Sequence, residues 1–425
     1  MYASPQGMIA SKEYSVKING SNAYVYPSAV PAAYCSFDIG GNADIAIKPN
    51  VIVKTVVVRP LALKINPFIK NGVIHFSISK PCKLSVEING SLKMPLFLFA
   101  NKTITDKPVK TNPNVHYFEA GKIYETNRIT LKDNDIVYIE SGAFVRGSLF
   151  LDNIKNVRIY GHGILDGSIF KKGQQRMIEI NRCDNILVEG ITITDSKHWT
   201  VPCNLSTNIT YRDIKIISNN DWDDGIDVVS SKNVLVDDCF IRTKDDCIAI
   251  KAGVTYYTTF YNQNITSDVR VTNSVLWNAE WGNALEIGFE TRADSIKNIT
   301  FSNIDIIHAE GPEGTFTIHN GDRAIVSNVF YNNIRAEDSQ GWLVDFKILK
   351  STYSKDANRG GIENIRFENI TVVGDNFPYS QLLGFDAMHT IQTVTMENFY
   401  IHGTKIKGTY NGMIANLHCE DLIFK

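Results

Sequence analysis

A short phrase, an asparagine followed by alternating apolar residues, recurs along most of this chain and sets the terms on which it can fold. It reads Asn156-Val-Arg-Ile, Asn185-Ile-Leu-Val, Asn208-Ile-Thr-Tyr and Asn233-Val-Leu-Val. It returns as Asn298-Ile-Thr-Phe, Asn328-Val-Phe-Tyr and Asn364-Ile-Arg-Phe, with Asp268-Val-Arg-Val in the same slot. Successive separations are 29, 23, 25, 35, 30, 30 and 36 residues. A unit of that length cannot bury its own apolar face, so stacked copies must share one core. A floor near 23 residues with a variable excess suggests one coil of a right-handed parallel β-helix, lengthened in places by loops. Asparagine at the same corner of each coil is placed to form a ladder of amide hydrogen bonds. The surplus of Ile and Asn fits this reading, since Ile favours strands and Asn favours turns. Four Asn-Ile-Thr sequons, at Asn208, Asn264, Asn298 and Asn369, are then corner-plus-strand phrases of the helix and not glycosylation signals.

The first hundred residues follow a different pattern. Short alternating or apolar runs cover Tyr14–Ile18, Asp44–Ile47, Val51–Val58, Val73–Ile78 and Leu84–Ile88. Asn19-Gly20, Gly40-Gly41, Asn71-Gly72 and Asn89-Gly90 punctuate them. This is the pattern of a small antiparallel β-sandwich. The expected fold is therefore all-β, a sandwich domain over 1–103 followed by a parallel β-helix catalytic domain over 104–425. Solenoid ends need covering, so the sandwich is expected to cap the helix.

Forty-three basic against 45 acidic residues give a net charge of −2, which offers nothing to nucleic acid or to a polybasic membrane contact. No apolar run reaches the roughly 18 residues of a membrane span. Seven cysteines show no metal-ligand spacing and read as buried thiols, with Cys239–Cys247 the one conceivable disulfide. Neither a metal nor a cofactor is expected. No signal peptide is visible at Met1–Ser11.

Chemistry concentrates in Asn219-Asn220-Asp221-Trp222-Asp223-Asp224-Gly225-Ile226-Asp227 and in Lys244-Asp245-Asp246-Cys247-Ile248-Ala249-Ile250. Asp224 and Asp245 are 21 residues apart, close to one short coil, and each group precedes an apolar strand. Stacked coils lie about 4.8 Å apart, so Asp224, Asp245 and Asp246 should share a small surface. Like charges that close raise each other's pKa, leaving one carboxyl protonated as an acid while another acts as a base, the division that glycoside hydrolysis requires. Taken alone, the cluster is also compatible with a Ca²⁺ site or a solvated acidic turn.

Asp224-Gly225-Ile226-Asp227-Val228 followed by Asp245-Asp246-Cys247-Ile248-Ala249-Ile250 resembles the polygalacturonase family, glycoside hydrolase family 28. Gly161-His162-Gly163-Ile164-Leu165-Asp166-Gly167 looks like that family's glycine turn, and Trp199 like its aromatic before a strand. The resemblance covers roughly residues 115–340. It implies an inverting displacement in which Asp245 protonates the glycosidic oxygen while Asp224 and Asp246 activate water. Two segments depart from the pattern. Gly282-Asn283-Ala284-Leu285-Glu286-Ile287-Gly288 carries Asn283 where the family has His, and Thr317-Ile318-His319 replaces the Arg-Ile-Lys that grips a galacturonate carboxylate. Without those cations, and with Glu286 nearby, a neutral sugar fits better than a uronate. The sandwich ahead of the helix, together with Trp281-Gly282-Asn283, resembles the dextranase and isopullulanase group, family 49.

Trp222 and Trp281 are expected to offer aromatic faces to a sugar, and Asn283, Glu286, His319 and Arg323 to line the same cleft. Tyr256 and Tyr257 are candidates for its wall, whereas His162 reads as structural. The expected partner is a polysaccharide or oligosaccharide, and the expected location secreted or periplasmic. Rival readings are a non-catalytic adhesin-like β-helix and a polysaccharide lyase, the latter disfavoured because no basic residue is evident beside the aspartates.

Overall fold

In the computed structural model, which describes residues 1–28, 30–253, 265–410 and 412–425, each coil turns at its repeated asparagine. Asn156, Asn185, Asn208, Asn233, Asn298, Asn328 and Asn364 all have φ between 54° and 59° or, for Asn233, 53°, and Asp268 has φ 58°. This left-handed conformation is open to Asn at small cost because its short side chain bonds locally. Asn185 donates from Nδ2 to Asn156 Oδ1 at 2.8 Å, Asn298 to Asp268 Oδ1 at 2.9 Å and Asn328 to Asn298 Oδ1 at 3.2 Å. A second ladder runs along the next corner, where Asn303 donates to Asn273 at 2.7 Å and Asn333 to Asn303 at 3.2 Å. The second ladder has no counterpart in the sequence expectations. Asn264, Tyr256 and Tyr257 lie outside the described residues.

Twenty-nine strands from Val115–Phe118 to Cys419–Phe424 form the right-handed parallel β-helix. The sheet that matters for function contains Ile178–Asn181, Cys203–Asn204, Ile226–Val229, Ile248–Ala252, Asn283–Thr291, Gly314–Asn320 and Trp342–Ile348. Ile226 pairs with Ile248, Ile248 with Leu285, Leu285 with Phe316 and Phe316 with Val344, a column of buried side chains inside the helix. Alternation then sends Asp227, Ala249, Glu286, Thr317 and Asp345 to the outer face of the same sheet.

Residues 14–102 form two five-stranded sheets whose apolar faces enclose a separate core. The run Val51–Val58 is strand only over Val56–Arg59. The amides of Lys54 and Thr55 donate instead to Asn89 Oδ1, at 2.7 and 3.1 Å, which takes that stretch out of any ladder.

The sandwich does not cap the helix as expected; it lies along its flank. Phe97 packs on Phe240 and Trp277 with ring centroids 4.9 and 5.7 Å apart, and Phe99 packs on Phe240 at 5.2 Å. Ion pairs rim this contact: Lys83 reaches Asp213 and Asp238 at 2.8 and 2.7 Å, Arg59 reaches Glu337 at 2.7 Å, and His308 meets Glu87 at 3.0 Å. His162 joins it, its Nδ1 3.0 Å from Asp38, which fits the structural role read for it. All seven cysteines, Cys239 and Cys247 included, are free. No helix among the described residues is long and apolar enough to cross a membrane.

The corner geometry makes a prediction. Asn328→Gly loses the ladder bonds but keeps access to positive φ, whereas Asn328→Ala loses both. Thermal or urea unfolding should place the alanine variant about 1 kcal/mol below the glycine variant. Equal losses would show that the backbone conformation is not why Asn is used.

Candidate active site

The three aspartates stand on the corner just ahead of the functional sheet. The stacking register pairs Ile226 with Ile248, which puts Asp224 opposite Asp246 and one residue away from the alignment with Asp245 suggested by the 21-residue gap. Backbone bonds hold the corner: Gly225 N donates to Asp246 O at 2.8 Å and Cys247 N to Asn283 O at 2.9 Å. One oxygen from each of Asp224, Asp245 and Asp246 lies within 4.8 Å of the others. Asp223, buried, accepts the amides of Lys244 and Asp245 at 3.0 Å each and that of Asn220 at 2.8 Å, so it fixes the segment that carries the acids.

Burial and the neighbouring charges set their protonation. Asp245 is pushed up to about 7, mostly by burial and then by the charge of Asp224. Burial, reinforced by Asp224, also raises Asp246 and the fully buried Asp227 well above the usual carboxylate range. Lys251 enters the cluster as a cation. Lys251 Nζ lies 3.1 Å from Asp224 Oδ2, 3.5 Å from Asp227 Oδ1 and 3.7 Å from Glu290 Oε2, with its ammonium 4.4 Å from the centre of the Trp199 ring. Burial alone would lower Lys251, but Asp224, Glu290 and Asp227 together hold it well above its ordinary value. Asp246 Oδ1 accepts two bonds from Asn283, from its backbone N at 2.8 Å and its Nδ2 at 3.0 Å. Three carboxylates are also what Ca²⁺ takes. Here, however, an ammonium and two N–H groups already meet the oxygens of Asp224 and Asp246, a donor set suited to carboxylate chemistry more than to a metal.

The other expected residues separate into two groups. Trp222 and Trp281 are 53% and 55% exposed, so neither is core packing; each is next to a site segment, Trp222 beside Asp223 and Trp281 beside Gly282. A Cβ on Gly282 would sit 2.5 Å from Asp245 Oδ1 and 2.6 Å from Asp246 N, and Gly282 has φ 60°, so the acid leans over a position that only glycine can occupy comfortably. Asn283, Glu286 and His319 have no exposed surface and act from behind the cleft. His319 is clamped between Glu286 at 3.1 Å and Asp345 at 3.2 Å. Burial would lower His319, but the charge of Glu286 and the bond to Asp345 outweigh it and hold it at about 9. Thr317 donates its hydroxyl to Glu286. Arg323 pairs with Asp356 at 2.7 Å and Arg292 with the same carboxylate at 3.0 Å, which ties Arg323 to the loop that carries Tyr353. Arg323 is thus held by ion pairs to Asp356 and, at 3.5 Å, to Asp294. Glu290 faces Lys251. His198, lowered to about 4 by burial and by Arg176, accepts the backbone N–H of Trp199 at 2.7 Å.

Sequence reasoning missed Lys251, Asp223 and Tyr353. A lysine inside the otherwise apolar strand Ile248–Ala252 was a legible anomaly, because lysine is almost never fully buried without a partner. Tyr353 is exposed, 5.6 Å from the ring of Phe289, and carried no motif.

Clustered carboxylates on the outer corner of a parallel β-helix are a set of groups that a glycoside hydrolase can use. Residues 119–419 match the model of glycosyl hydrolases family 28, and the chain belongs to that family. It is 24% identical over 289 residues to an exopolygalacturonase of Rhizopus delemar, covering 64% of this chain and 68% of that protein. It is 22% identical over 357 residues to a dextranase of Arthrobacter globiformis, covering 72% of this chain and about half of the relative, 48%. Dex49A from Penicillium minioluteum superposes with a TM-score of 0.64 at 16% identity, covering 96% of this chain and 92% of that one, so the fold likeness takes in sandwich and helix together.

Gly282→Ala is expected to push the Asp245 carboxyl aside. Turnover should fall by roughly 10²-fold, the cost of about 1 Å of misplacement, with a loss of about 1–3 kcal/mol in stability from the strained backbone. Steady-state kinetics beside a thermal melt checks this, and a variant as active as the parent would remove the close approach from the account.

Proposed function

We propose that this chain is an inverting glycoside hydrolase of a plant or microbial polysaccharide whose cleaved sugars are neutral or weakly charged, with Asp245 as general acid and Asp224 and Asp246 as bases. The observation that carries this reading is the contrast within the triad. Asp245 is partly exposed and protonated up to about pH 7, whereas Asp224 is buried on the Lys251 ammonium. An acid and an acceptor, side by side, are what leaving-group protonation and water activation require.

Inversion is what the resemblance to family 28 implies, and it places the attacking water on Asp224 and Asp246, which are 2% and 7% exposed. The nearest oxygens, within 4.8 Å, are closer than the roughly 6.5–9.5 Å usual for inverting pairs. Stereochemistry is therefore the informative readout. Proton NMR of the first product should show the anomer opposite to the substrate linkage; retention would overturn the assignment of Asp224 and Asp246 as bases.

The neutral-sugar reading rests on His319, whose charge is spent on Glu286 and Asp345 inside the wall. A second reading, hydrolysis of pectic galacturonan, is favoured by the polygalacturonase named among the relatives. A lyase needs a neutral base, and Lys251 is held protonated by the carboxylates around it. A purely structural β-helix has no use for buried acids on an ammonium. In this reading residues 1–103 are a β-sandwich domain supporting a catalytic β-helix over 104–425, and the protein works outside the cytoplasm, where polysaccharides are met.

Three measurements test the proposal. A panel of α-glucans, galactans and pectins should yield hydrolysis of a neutral glycan, and an unsaturated, ultraviolet-absorbing product would point instead to a lyase. On the cleaved glycan, kcat/KM should fall above about pH 7 as Asp245 loses its proton. Asp245→Asn should lower turnover by roughly 10²–10⁴-fold, and unchanged turnover would remove Asp245 from the mechanism.

A further inference from the structure

The register that assembles the triad also assigns the positions beside it. Ile248 pairs with Leu285, Asn283 with Gly314 and Gly314 with Trp342. Into the corner the row of the acid runs through Asp245, Gly282, Gly311 and Gly341. A Cβ on Gly282 would meet Asp245 Oδ1 at 2.5 Å, one on Gly311 would meet Gly282 O at 2.3 Å, and one on Gly341 would meet Gly311 O at 2.3 Å. Glu313 follows Gly311 and Pro312 on the third of these coils, and its carbonyl accepts from Trp342 N at 2.9 Å. The glycines leave the ground beside Glu313 without side chains, and the Asp245 carboxyl already leans over Gly282. Glu313 therefore stands beside the row of the acid, two coils away, or about 10 Å at the backbone.

Glu313 is partly exposed, unlike Asn283 and Glu286 behind it. Its Oε2 accepts from Asn283 Nδ2 at 3.0 Å, and that same nitrogen donates to Asp246 Oδ1 at 3.0 Å. The Asn283 amide thus holds Glu313 and a member of the triad in fixed relation. A carboxylate so held has acceptor capacity to spare, and sugar hydroxyls donate to carboxylates in short, charge-assisted bonds. An anionic sugar would meet like charge at this point, while the nearest buried cation, His319, is already clamped by Glu286 and Asp345.

We propose that Glu313 accepts hydroxyl hydrogen bonds from the sugar bound over Gly282 and is the residue that turns this site against acidic sugars. The inference rests on the glycosidase reading given above and names the contact that sets its substrate class.

The experiment has two arms on the full chain. On the neutral glycan that the parent cleaves, Glu313→Gln should raise KM roughly tenfold, the scale of one hydrogen bond to a charged group, and leave kcat within about twofold. Glu313→Asp should recover part of the loss. Trigalacturonate, followed by calorimetric titration, should bind Glu313→Gln several-fold more tightly than the parent, and the gain should shrink as salt is added. A melt on each variant separates folding loss from recognition, and Glu313→Asp carries the test if Glu313→Gln does not fold. A fall in kcat at constant KM, or trigalacturonate binding that is the same in parent and variant, would overturn the proposal. If the parent cleaves no neutral glycan, the functional reading fails, and the trigalacturonate arm still judges Glu313.

Discussion

Everything in this molecule depends on the alignment of one coil with the next. Parallel strands slip by whole residues only if every side chain changes face. The inner column of Ile226, Ile248, Leu285, Phe316 and Val344 forbids that, since a slip would bring Asp227, Glu286 and Asp345 into the core. The left-handed asparagines fix where each coil turns, and their amide ladders tie one turn to the next. With alignment and turning point both set, residues about one coil apart in sequence become neighbours. Asp224 and Asp246 meet for that reason alone.

The site uses this rigidity to hold an arrangement that is unfavourable in isolation. Asp224, Asp227, Asp245 and Asp246 crowd against one another, and their mutual repulsion is relieved by protons and by the buried Lys251 ammonium. Lys251 can supply that relief because its strand is pinned between Ile226–Val229 and Asn283–Thr291. A second clamp, Glu286–His319–Asp345, repeats the device one, two and three coils further along. Both networks bury cations between carboxylates that are themselves buried, so these positive charges stay inside the wall.

Much of the fold was legible in the sequence because repetition encodes it redundantly. Each Asn phrase gives the same message, and the loss of one to Asp268 leaves the pattern intact. The aspartates were legible because a coil period converts a gap of 21 residues into proximity. Residues that occur once were harder to read. Arg323 carries the charge expected of a substrate contact, yet Asp356, 33 residues on, pairs with it. The run Val51–Val58 is apolar enough for one strand, but Asn89 captures the amides of Lys54 and Thr55 and cuts it short. The flanking position of the sandwich depends on Phe97 and Phe99 meeting Phe240 and Trp277, a match between two surfaces with no local signature.

That flanking position changes how the molecule comes apart. A bare solenoid contacts only its neighbours and can fray coil by coil from either end. Here the sandwich grips the helix from Phe144 to Glu337, through Asp38, Lys83, Arg59 and a shared aromatic core. Unravelling that reaches this interval must strip the lateral surface as well as the stack. The acidic corner that carries Asp224, Asp245 and Asp246 falls inside the gripped interval and is therefore braced like a spine against a splint.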